Sequence, residues 1–168
     1  MLELPRRALV VLIGASGSGK STFARKHFKP TEVVSSDACR ALVSDDEANQ
    51  DATDEAFEVL HLIVAKRLSL GRLAVVDATN VHPESRKNLL EIAQRFHTPA
   101  FALVLDVDAD VCRERNRART DRRVGSSVVG NQRKLLDDSL PTLASEGFAT
   151  VHLLKAADIE AVEFVRAA

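Results

Sequence analysis

The stretch "VVLIGASGSGKST", residues 10–22, opens as an unbroken apolar run and closes as a glycine-rich loop that ends in Lys20 and Ser21. Its two halves suggest different origins. Arg6 and Arg7 ahead of "ALVVLIG" imitate the start of a secretion signal. The second half, "GASGSGKS" from Gly14 to Ser21, fits the pattern G-x-x-x-x-G-K-[ST]. The second reading explains more residues, because an apolar strand, a glycine loop and a helix start then follow one another in the order a phosphate cradle needs. Gly14, Gly17 and Gly19, with Ser18 between the last two, let successive backbone N–H groups turn inward around phosphate oxygens. The helix N-terminus adds its dipole. Lys20 is expected to reach the β- and γ-phosphates, Ser21 to ligate Mg²⁺, and Thr22 to complete the donor set. The expected ligand is a nucleoside triphosphate.

Working outward, the chain of 168 residues is 45 % hydrophobic and 28 % charged, which reads as one globular domain spanning 1–168. A chain of this length buries roughly 70 % of its unfolded surface. No apolar run approaches the ~20 residues that cross a bilayer, so no membrane association is expected. Cys39 and Cys112 form neither a disulfide framework nor a zinc spacing, and a reducing cytoplasm is the simplest home. A net charge of −1 gives no general affinity for nucleic acid. The charge is uneven, however. "SDDEANQDATDE" (44–55) carries six acids and no base, and reads as a solvated loop and helix start. "RERNRARTDRR" (113–123) carries six arginines against two acids.

Apolar segments at 8–13, 32–35, 73–76, 100–105 and 150–154 read as strands. They are continuous rather than alternating, as strands buried on both faces are. Helical patterns occupy 20–27, 53–69, 84–95, 108–119, 131–145 and 157–166, with Pro83 as a start and Gly71 as a stop. This alternation predicts an α/β fold, a central parallel sheet of about five strands flanked by helices, with ligands at the carboxyl ends of the strands.

The acceptor side is sought at those ends. In "SSDACR" (35–40), Asp37 and Arg40 are three apart and share a face on a helical first turn. A carboxylate there can take the proton of an attacking hydroxyl, and the guanidinium can orient it or hold an acceptor phosphate. An N-cap aspartate beside a surface arginine is the plainer alternative. Two strands end in acids, Asp77 in "VVDATN" and Asp106 in "LVLDVD". Asp77 is favoured as the acid near Mg²⁺, because Asn80 adds a polar group beside it. Arg115, Arg119 and Arg122 are spaced i, i+4, i+7, which would set three guanidiniums on one helical face of a lid over about 113–130. Such arginines stabilise charge on transferring phosphoryl groups.

Taken together, "GASGSGKSTF", "SSDACRALVSDDEANQ", "VVDATN" and "CRERNRARTDRRV" resemble the kinase module of the bacterial RNA-repair polynucleotide kinase-phosphatase. The resemblance implies a P-loop phosphotransferase fold and ATP- and Mg²⁺-dependent phosphorylation of 5′-OH ends of RNA or DNA. It implies that Lys20 and Ser21 hold the ATP phosphates and the metal, and that Asp37 is the general base. Arg40, Asp77 and Asn80 would then serve the acceptor side, and Arg115, Arg119 and Arg122 the donor phosphates. It further implies phosphatase and ligase-like modules on a longer parent chain. A P-loop kinase of a small metabolite and a nucleotide-binding regulatory module are the alternatives.

Overall fold

The computed structural model describes residues 1–120 and 124–166. Its core is a five-stranded parallel sheet in the order β3-β4-β2-β5-β6, formed by β2 (Leu9–Ile13), β3 (Val33–Ser35), β4 (Ala74–Asp77), β5 (Ala100–Asp106) and β6 (Thr150–Lys155). The chain runs from β2 to one edge through β3 and β4. It then crosses back over β2 to build β5 and β6 on the other side. That reversal places a crevice at the carboxyl end of β2, where ligands bind in open α/β sheets.

The unbroken apolarity of β2 follows from its two covered faces. Leu9, Val11 and Ile13 pack with α3 (Thr53–Ser69) and α4 (Pro83–Arg95), through Leu60, Val64, Leu89 and Ala93. Val10 and Leu12 face the opposite core with Phe23 and Ala24 of α1 (Lys20–His27). Alternate residues of a strand point to opposite faces, so both sets must be apolar. The run after Arg6 and Arg7 is therefore the central strand of the sheet.

Most expected elements appear with ends shifted by a residue or so. Pro83 opens α4, and Gly71, at φ 66°, ends α3 with its N–H on Leu68 O. Three expectations are corrected. A helix over 157–166 is instead α7 (Ala156–Ala161) followed by β7 (Phe164–Arg166), which pairs in parallel with β1 (Leu2–Leu4) as a separate two-stranded sheet. Phe164 anchors that ribbon on the rings of Phe23, His27 and Phe28, and this aromatic burial outweighs continuation of a short helix. The pattern at 131–145 is instead α6 (Ser126–Ser139) with a 3₁₀ turn at Leu143–Ser145. The pattern at 108–119 ends one residue early, as α5 (Ala109–Ala118), with consequences for the arginines taken up below.

One buried charge organises the far side of the sheet. Arg86 is wholly enclosed. It makes two 2.7 Å bonds to the Glu146 carboxylate and donates to Asn80 O, Val81 O and Ser139 Oγ. It thus fastens α4 to the turn after β4. Removing one partner of a buried pair typically costs about 3–5 kcal/mol, because the other charge is left uncompensated. Arg86→Met is expected to lower the unfolding free energy by about 3 kcal/mol, at the low end of that range because the Glu146 side chain keeps 20 % exposure. Urea melting of the purified variant checks this.

Candidate active site

The loop between β2 and α1 has the shape its glycines require. Gly17 and Gly19 sit at φ 87° and 98°, where other residues are strained. A Cβ on Gly17 would lie 2.2 Å from the carbonyl oxygen of Cys112, so the backbone of α5 floors the loop. Within the loop the Lys20 ammonium donates to Gly14 O and Ala15 O, each at 2.9 Å. Burial pushes the Lys20 pKa down to about 8, partly opposed by the negative charge of Asp77. A desolvated cation ringed by a glycine cradle at a helix N-terminus fits a polyphosphate.

Asp77 ends β4 beside this loop and is buried. Burial raises its pKa, opposed by the neighbouring Ser21 side chain and by the Lys20 charge. Asp106, the other strand-end acid, lies instead against Arg133 at 2.5 Å. The Ser21 hydroxyl and the Asp77 carboxylate together form an oxygen pair of the kind that holds Mg²⁺.

Asp37 follows β3 on α2 (Ser36–Ser44), a helix that the sequence showed only as a first turn. The cap is Ser35, whose hydroxyl accepts the Ala38 N–H. Asp37 is therefore not occupied as a cap. Its carboxylate takes a 2.6 Å bond from Arg40 Nη1, and Arg40 Nε donates to Thr53 Oγ1 at the start of α3. Arg40 is buried while the Asp37 side chain keeps 24 % exposure toward the cleft.

The arginine segment departs from its expected form. Because α5 ends at Ala118 and Arg119 is extended at φ −70°, ψ 142°, Arg119 does not continue the helical face that carries Arg115. The physical cause is Asn116, buried on α5, whose side chain accepts the Val124 N–H and donates to Val124 O. Those two bonds tie Val124, just ahead of α6, to α5. Arg115 and Arg119 nevertheless both line the cleft. A Cβ on Gly19 would lie 3.7 Å from Arg115 Nη1, which puts that guanidinium beside the phosphate loop. Arg122 and Arg123 lie outside the described residues.

Lys20, Ser21, Asp37, Arg40, Asp77, Asn80, Arg115 and Arg119 therefore border one cleft of about 1310 Å³. Asn80, at φ 49°, holds the turn after β4 by donating to Leu12 O at 2.7 Å and to Ala78 O. Its Oδ1 is buried without a hydrogen-bond partner among the described residues. Sequence reasoning missed Gln132 of α6, whose side-chain oxygen accepts the Ser16 N–H at 2.8 Å. Nothing in "GNQRKLL" marks it. Away from the loop the cleft is walled by Glu47, Gln50, Asp54, Phe57 and His61.

The comparisons with known proteins agree with this geometry. A family model described as AAA domain matches residues 9–140. The chain belongs to the AAA domain family. Among curated proteins it is 26 % identical over 152 residues to transcription factor bHLH140 of Arabidopsis thaliana, covering 87 % of this chain and 16 % of that protein. The chain thus spans about one sixth of that relative's length. Among solved structures, Kti12 of Chaetomium thermophilum, in complex with ADP-AlF3, superposes with a TM-score of 0.67 at 18 % identity, over 92 % of this chain and 94 % of that one. A chain of the Pnkp1/Rnl/Hen1 complex superposes at 0.56 with 22 % identity, over 74 % and 42 %. The fold is that of the P-loop kinases. Among the described residues no helix is long and apolar enough to cross a membrane.

Proposed function

We propose that this chain is an ATP-dependent kinase of 5′-hydroxyl ends of RNA or DNA, forming one kinase domain over 1–168. The observation that carries the reading is the Asp37–Arg40 pair. It is held at the end of β3 in the same cleft as the buried Lys20, within the string "SSDACR" that resembles polynucleotide kinases. Asp37 would accept the proton of the 5′-hydroxyl as its oxygen bonds to the γ-phosphorus. The bond from that phosphorus to the bridging oxygen breaks, and the diphosphate leaves with that electron pair. Arg40, fixed between Asp37 and Thr53, aims the carboxylate. Lys20, Arg115 and Arg119 balance charge on the donor phosphates. Ser21 and Asp77 would hold Mg²⁺, which supplies further charge neutralisation at the phosphates.

The same reading places phosphatase and ligase-like modules on a longer parent chain in a reducing cytoplasm, where Cys39 and Cys112 stay unpaired. A second reading, a kinase of a small hydroxylated metabolite, draws on the acids Glu47 and Asp54 in the cleft wall, which disfavour a polyanionic strand. Labelled ATP offered with a 5′-OH oligonucleotide, a metabolite panel or water separates these. Label on the oligonucleotide end is expected. Label on a metabolite alone overturns the polynucleotide reading, and binding with no transfer to any acceptor favours a regulatory module.

Two further outcomes are expected at the donor site. Arg115→Ala and Arg119→Ala should reduce kcat by about 10²-fold or more at saturating oligonucleotide, with little change in the salt dependence of strand binding. Arg119→Lys should stay impaired, because an ammonium lacks the planar fork. A flattened salt slope with kcat spared would move these arginines to the acceptor. Secondly, triphosphate binding should return Lys20 toward its ordinary pKa, working against burial and Arg119 and with the raising influence of Asp77, Cys112 and Asp37. With the free-state pKa depressed to about 8, ATP affinity should fall as pH rises above that value. Binding near pH 8.5 should take up protons. Calorimetry in buffers of differing ionisation enthalpy measures the uptake, and none would exclude Lys20 from the binding step.

A further inference from the structure

The Ala15–Ser16 peptide is gripped from both ends. Its carbonyl accepts the Lys20 ammonium at 2.9 Å and the Ser18 N–H at 3.1 Å. Its N–H donates to Gln132 Oε1 at 2.8 Å. A trans peptide is planar, with N–H and C=O pointing opposite ways, so fixing one fixes the other. Gln132 is itself set on a rigid support. Val129 and Leu136, three residues before and four after it, are buried on the same face of α6. The next residue, Arg133, is tied to Asp106 and to Val107 O at the end of β5. A polar side chain on that inward stripe is accounted for by its bond to the loop.

We propose that Gln132 is a positioning residue for Lys20, acting through the Ala15–Ser16 peptide. By accepting the N–H on one side it holds in place the carbonyl that seats the ammonium on the other. The helix that follows the arginine segment is thereby tied to the charge that meets the donor phosphates. The inference rests on the reading of this loop as a triphosphate site.

A double-mutant cycle tests it. The readout is binding of a non-hydrolysable ATP analogue with Mg²⁺ by the full chain, titrated to millimolar nucleotide. Gln132→Met keeps the side-chain length and removes the acceptor. Lys20→Arg keeps a cation but not the ammonium seated on two carbonyls. Gln132→Met alone should weaken binding roughly 5–20-fold, the scale of one lost buried hydrogen bond. In the Lys20→Arg background the same change should cost less than about twofold, since groups acting through one another are non-additive. Gln132→Ala runs the same cycle with less demand on packing should methionine disturb the fold. Equal losses in both backgrounds, no loss in either, or a lowered Tm with unchanged affinity would each overturn the proposal. A wild-type chain that fails to bind the analogue would overturn the donor-site reading along with it. A binding wild type with an additive cycle overturns only the role of Gln132.

Discussion

Lys20→Ala is expected to reduce phosphoryl transfer by about 10³-fold, with the chain still folded. The size follows from where the ammonium sits. It is enclosed among loop carbonyls, and a charge aimed from a water-poor site at developing negative charge is worth more than the same charge in solvent. Removing one such preorganised donor commonly costs about 10²–10³ in kcat. The structural cost should be small, because burial already disfavours the Lys20 cation in the free protein, as its lowered pKa of about 8 records. Single-turnover transfer and thermal melting, measured side by side, separate the two effects. Turnover within tenfold of wild type would remove the loop from the mechanism.

Asp37→Asn should lower kcat by about 10³-fold while leaving ATP affinity within about threefold of wild type. General-base removal typically costs about 10²–10⁴. The amide keeps the size of the carboxylate and one oxygen for Arg40, so α2 retains its geometry. What is lost is the place for the acceptor's proton. Asp37 follows β3 whereas the loop follows β2, and its charge supplies no donor to the phosphates, so the loss should fall on turnover more than on donor binding. If the asparagine enzyme turns over normally, the proton leaves by another route and Asp37 only steers Arg40.

How much of this could be read from the residues differs by element. The phosphate loop was legible because its chemistry leaves little freedom: two positive-φ positions, one cation and one hydroxyl must fall at fixed spacing. The sheet was legible because two covered faces force continuous apolar strands. The course of the arginine segment was not. Its residues favour helix, with no glycine before Gly125 and no proline, so nothing local announces that α5 stops at Ala118. The stop is made by Asn116 reaching Val124, a side-chain bond that composition does not show. The sequence favours Asp77 over Asp106 as the acid beside the loop only through the polar groups that follow it. Both end buried strands, and nothing local announces that Arg133 of α6 pairs with Asp106. For β7 the deciding partners, Phe23, His27 and Phe28, are more than a hundred residues away in the chain.

The contact between Gly17 and Cys112 gives one helix two duties. The same α5 that closes the underside of the loop carries Arg115 along its side, so the hollow proposed to take a phosphate and the cation beside it share one support. Their separation does not depend on a moving segment arriving at the right moment. It is set by the rise of a helix between residues 112 and 115. A methyl group added at Gly17 would have to displace that helix, because the Cys112 carbonyl would stand 2.2 Å away. Such a variant should carry two lesions from one substitution, a distorted loop and a withdrawn guanidinium. Restoring charge elsewhere on the cleft would not repair it.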